Sequence, residues 1–82
     1  METFSYEAVV AGPRKSGSRP DLRLQVVPGP KGFIASIKTE SAILHQRVYL
    51  DSDTARSAIA AIAQALFPEA DPITFFPSPT AN

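Results

Sequence analysis

Four stretches of this chain alternate apolar and polar side chains with a period of two, and one later stretch repeats at helical spacing. In Thr3–Val10, Phe4, Tyr6, Ala8 and Val10 fall on one side, with Thr3, Ser5, Glu7 and Val9 on the other. That period predicts a half-buried strand. Leu22–Val27 alternates again, pointing Leu22, Leu24 and Val26 inward; Phe33–Lys38 does so with Phe33, Ala35 and Ile37. Ala42–Leu50 reads as a fourth strand with Leu44, Val48 and Leu50 inward and Ile43, His45, Arg47 and Tyr49 outward, although residues 40–46 also suit a helical turn. From Asp53 onward, Ala55, Ile59, Ile62, Ala63 and Leu66 follow the i, i+3, i+4, i+7 spacing of a buried helical stripe.

The punctuation between these stretches agrees with them. Residues 12–21, GPRKSGSRPD, hold two glycines and two prolines, which prevents both helix and ladder and predicts a loop. Pro28-Gly29-Pro30-Lys31-Gly32 and Thr39-Glu40-Ser41 read as turns. Asp53 is the expected N-cap, because its carboxylate can accept from the free N–H groups of the first turn and its charge suits the positive helix end. Pro68 stops the helix and biases Phe67 away from helical angles. Ile73–Phe76 is expected to add a short edge strand or to tuck beneath the helix, and residues 78–82 to form a frayed tail. The expected fold is therefore α+β: a four-stranded antiparallel sheet in the order β-β-β-β-α, an extra C-terminal edge strand, and one amphipathic helix on one face. Residues 1–77 would form a single domain, since 82 residues cannot close two cores.

Composition narrows the functional classes. The absence of cysteine excludes disulfides and thiolate-ligated metal sites. The N-terminal METFSYEAVV lacks a basic region followed by an apolar run, and Ala58–Phe67 is short of the ~20 residues that cross a bilayer. A soluble, cytoplasmic protein without membrane association is the expectation. The net charge is zero but unevenly spread: residues 13–38 are basic and residues 39–82 acidic. A duplex-DNA binder would carry a strong basic excess.

No assembled catalytic set is legible. Asp51 and Asp53 stand at the spacing of the paired aspartates of the haloacid dehalogenase-like phosphotransferases, and their position after an apolar strand resembles that family. The chain is too short for that family's parallel sheet, so an acidic helix start is the expected role. Gly12 and Gly17 have the spacing of a phosphate-binding loop, but Ser18 and Arg19 stand where Lys-Ser/Thr is required, and Pro20 stops the helix that would complete the cradle. His45 is the only histidine and has no carboxylate at ligand spacing. The chain is expected to be no enzyme and to bind no metal or cofactor.

Three surfaces remain as binding candidates. Arg14, Lys15 and Arg19 make the 12–21 loop basic and suited to an acidic patch on a partner. Arg23, Lys38, His45, Arg47 and Tyr49 would share the outward sheet face, where cations and one aromatic suit a protein partner or single-stranded nucleic acid. The β-β-β-β-α order is similar to that of the Pur-repeat and Whirly single-strand binders, at the level of topology alone. On the helix, Arg56, Ala60, Ala61 and Gln64 lie on an under-charged far side that would let another backbone approach, as in a homodimer or partner contact. These features favour a small non-catalytic protein that docks on a protein partner. One version is an inhibitor of a host nucleic-acid-processing enzyme, such as a phage-type anti-defence (anti-CRISPR-like) protein. The alternative is a single-stranded nucleic-acid-binding module using the open basic sheet face.

Overall fold

The structure, a computed structural model, describes residues 4–12 and 21–79. Its elements are β1 (Phe4–Val10), β2 (Leu22–Gly29), β3 (Gly32–Lys38), β4 (Ile43–Tyr49), α1 (Ser52–Leu66) and β5 (Phe76–Pro79). The strands form one antiparallel sheet in the order β4-β3-β2-β1-β5. This is the α+β architecture the alternation implies, including the extra C-terminal edge strand. That strand lies further along than Ile73–Phe76 and takes in Ser78 and Pro79, which the proline content assigned to the tail. Ile73 and Phe75 instead pack half-buried against the core on the way to the sheet. No helix among the described residues is long and apolar enough to cross a membrane.

One face of the sheet is closed by α1, which packs chiefly over β3 and β2. Directly paired antiparallel residues share a face, so the register sets out the core in rows. Ala8, Leu24 and Ile37 make one row, and Tyr6, Val26 and Ala35 the next. Ala55, Ile59 and Ala63 from the helix fill the space above them, fully buried. The expected stripe is thus correct up to its last member. Leu66 is exposed, and Phe67 is buried in its place. Phe67 has left the helix (φ −127°, ψ 74°), as a residue before proline does, and the changed backbone turns its ring into the core.

The helix start also differs from expectation. Asp51, not Asp53, is the N-cap: its backbone is extended (φ −137°, ψ 161°) and its carboxylate accepts from the Thr54 N–H at 2.8 Å and the Thr54 hydroxyl at 3.0 Å. These bonds, the backbone one foremost, hold the Asp51 carboxyl below its ordinary pKa of 3.8. Asp53 sits within the first turn and pairs with Arg56.

Candidate functional site

The face of the sheet away from α1 is open, and the register divides it into three rows. At one end Val27, Ile34 and Val48 lie side by side across β2, β3 and β4. The middle row is polar: Glu7, Gln25, Ser36 and Gln46, continued at the β5 edge by Phe76. The third row places Arg23 directly opposite Lys38, with Val9 and Ile43 at its ends. Like charges directly opposed in a sheet are destabilising, and no carboxylate among the described residues pairs with either cation.

The fourth strand overturns the expected composition of this face. His45 pairs with Ile37, Arg47 with Ala35 and Tyr49 with Phe33, so all three project on the helix side. The Tyr49 hydroxyl lies 3.3 Å from His45 Nε2, and the Arg47 guanidinium sits 5.9 Å from the Tyr49 ring centre. Of the five residues expected to share the outward face, only Arg23 and Lys38 do so. The cause is a β-bulge. The register steps from Ile37↔His45 to Lys38↔Ile43, which leaves Leu44 without a cross-strand partner and inverts the facing of residues on either side of it. Ile43 keeps its expected open-face position; everything after Leu44 is turned over.

The inversion leaves β4 unusually apolar toward solvent. Ile43 is 57% exposed, Leu44 52%, Val48 51% and Leu50, just beyond the strand, 90%. β4 is also an edge: among the described residues, no strand pairs with its outer side. Natural edge strands are guarded by proline, charged side chains, bulges or brevity. β4 has seven residues, no proline or lysine, and Arg47 as its only fixed charge. Its bulge lies at the strand's start and leaves His45–Tyr49 in regular register. The opposite edge, β5, is four residues long and carries Pro77 and Pro79. One edge is guarded along its whole length, the other only by a bulge at its start and a single charge.

The remaining candidates are placed differently. Arg14, Lys15 and Arg19 lie outside the described residues; the ends of their segment are joined where the Gly12 N–H donates to the Asp21 carboxylate at 2.9 Å. Arg56 is not on the far side of the helix. It reaches toward β1, with its guanidinium 4.1 Å from the Tyr6 ring centre and its Nε donating to the Ser52 carbonyl. Ala60 is half-buried beside the same flank, whereas Ala61 and Gln64 are exposed. The Asp51–Asp53 pair is occupied in starting the helix, one carboxylate on Thr54 and the other on Arg56. Concavity offers little further chemistry. A depression between the end of β1 and the C-terminal end of α1, bordered by Phe67, Pro68 and Ile73, contributes only the carboxylates of Glu69 and Asp71 as ionisable groups.

The sequence signal for the β4 surface was present but ambiguous. Ile43-Leu44-His45-Gln46-Arg47-Val48-Tyr49-Leu50 carries apolar side chains at both parities, so a period of two does not choose the buried face. Comparison with protein-family models, with curated proteins and with solved structures found no match.

Proposed function

We propose that this chain is a non-catalytic protein-docking module whose contact element is β4, using its unpaired edge together with Ile43, Leu44, Val48 and Leu50. The carrying observation is the concentration of exposed large apolar side chains on a weakly guarded edge strand, three within β4 and the fourth, Leu50, just beyond it. Such an edge presents free backbone donors and acceptors to an incoming strand, while its alternate side chains supply apolar contact. Inhibition of a host nucleic-acid-processing enzyme is one activity a domain of this kind performs by occupying a surface. The cations of the 12–21 loop would add steering toward an acidic partner.

The test is site-specific photo-crosslinking in host lysate after nuclease treatment. A crosslinker at Val48 should capture a protein, while the same group at Ser57, exposed on the helix, should not. Equal capture from both positions, or none from Val48, sinks the reading.

Single-stranded nucleic-acid binding is the second reading, and the opposed Arg23–Lys38 pair favours it. Against it, Tyr49 lies on the other face, and Glu7 stands between the cations and Phe76. Fluorescence anisotropy with labelled oligonucleotides at low salt decides it: binding weakened by Lys38→Gln supports this reading, and no binding removes it.

A further inference from the structure

We propose that β4 pairs with β4 of a second copy of this chain, antiparallel about a two-fold axis at Gln46, so that two five-stranded sheets join into one. The inference rests on the docking reading above and names the partner. It starts from the inequality of the two edges. A head-to-tail contact would set β4 against β5 of the next molecule, but Pro77 and Pro79 lack the N–H groups a ladder needs. Sheet extension through β5 is therefore blocked, and only the contact of β4 with itself remains. That contact is isologous, so it closes at two copies and cannot propagate into a filament.

The sequence of β4 also selects a register. Centring the two-fold on Arg47 would oppose that guanidinium to its own copy, an arrangement that destabilises an antiparallel pair. Centring it on Gln46 places Gln46 against itself, where one side-chain amide can donate to the other. It then sets Leu44 opposite Val48 of the second copy, twice over, and Arg47 opposite His45. Val48, in the regular stretch, and Leu44, at the bulge, both exposed and apolar, thus cover each other, and the only fixed charge avoids its copy. A seven-residue edge is smaller than the about 800 Å² per partner of a standard interface, so the dimer should be reversible, with dissociation in the micromolar range.

Sedimentation equilibrium of the full chain from about 1 to about 200 μM, spanning that micromolar estimate, should show the mass rising from 8.8 kDa toward twice that value. Val48→Lys, which sets an ammonium against Leu44 of the second copy, should stay monomeric throughout with an unchanged circular dichroism spectrum. A second variant does not depend on affinity. The chain has no cysteine, and directly opposed residues in an antiparallel pair have Cα atoms about 4.5–5.5 Å apart, within disulfide reach. Gln46→Cys should therefore oxidise to a covalent dimer many-fold faster than Ser57→Cys. A wild type that remains monomeric, or two cysteine variants that oxidise at the same rate, overturns the proposal. If Val48 nonetheless crosslinks to a different protein, only the identity of the partner was wrong; if it crosslinks to nothing, the docking reading falls as well.

Discussion

Gly29 and Gly32 flank the same β2–β3 turn, yet the structure predicts opposite tolerance to a methyl group. Gly32 has φ +142°, a region where side chains are strained, and a Cβ there would overlap the carbonyl oxygen of Tyr49. The obstacle is backbone, with the Tyr49 carbonyl carbon 3.2 Å and the Leu50 Cα 3.5 Å away, so no side-chain rotation relieves it. Backbone strain of this kind costs about 1–3 kcal/mol. Pulling the end of β4 away to make room loosens the Phe33↔Tyr49 pair and adds about 0.5–1.5 kcal/mol for a lost ladder bond. Gly32→Ala should thus destabilise by roughly 2–4 kcal/mol, a large share of the ~4–12 kcal/mol expected of a chain this long. Gly29→Ala meets chiefly the half-buried Ile34 side chain, 3.1 Å from its Cδ1 and 3.2 Å from its Cγ1, which can shift by a few tenths of an ångström. The entropy that alanine removes from the unfolded chain offsets that adjustment, leaving a change within about 1 kcal/mol of zero. Urea titration followed by circular dichroism measures both, with the midpoint of Gly32→Ala falling and the slope unchanged. Equal midpoints for the two variants would refute the reasoning, because the same methyl would then cost the same in two different environments.

Three further outcomes follow from the geometry. Asp51→Ala should lower the melting temperature at neutral pH while Asp51→Asn, also a good cap, should largely preserve it. Because hydrogen bonds to Thr54 lower the Asp51 carboxyl from its ordinary 3.8 in the folded state, its contribution is present above that pH and lost as pH falls through the folded value; a difference between wild type and Asp51→Ala that does not shrink as pH falls below 3.8 contradicts this. A double-mutant cycle on Tyr6→Leu and Arg56→Gln should return a coupling of about 0.5–1 kcal/mol from the guanidinium stacked on the ring, and additive effects would remove that contact from the account. Lys38→Glu should raise stability by about 0.2–1 kcal/mol by replacing a repulsion with an attraction opposite Arg23, an effect that added salt should shrink; destabilisation would show that the two cations are otherwise compensated.

Most of the architecture is legible in the chain because one parity dominates each inner strand. In β2, Leu22, Leu24 and Val26 alternate with Arg23 and Gln25, so burying the wrong set would desolvate a charge, and the register is strongly fixed. β4 lacks that contrast. Its buried side is the rim of the helix contact, where His45 and Tyr49 are only half-buried and polar tips can reach solvent, so apolar residues were not required there. The bulge at Leu44 then decides the facing through backbone register, which alternation alone does not report. The cap position is ambiguous in the sequence for a related reason. Asp51 and Asp53 are both competent chemically, and only the extended backbone at Asp51 separates them. The candidate docking site therefore emerged from pairing register, whereas the hydrophobic pattern pointed to the opposite face.

The placement of β5 beside β1 has a consequence for synthesis. The hairpin contacts from β1 through β4 join near neighbours in the chain, and each can form soon after its second strand leaves the ribosome. β1 must wait: its outer edge is satisfied only when Phe76–Pro79 arrives, so that Phe4 meets Pro79 and Ser5 donates to the Ser78 carbonyl. Contacts of such long sequence separation form late. A nascent chain halted before Phe76 would hold a nearly complete sheet with two open edges. The last four residues of the sheet thus work as a stopper, converting a chain able to join neighbours on both sides into one able to join on a single side.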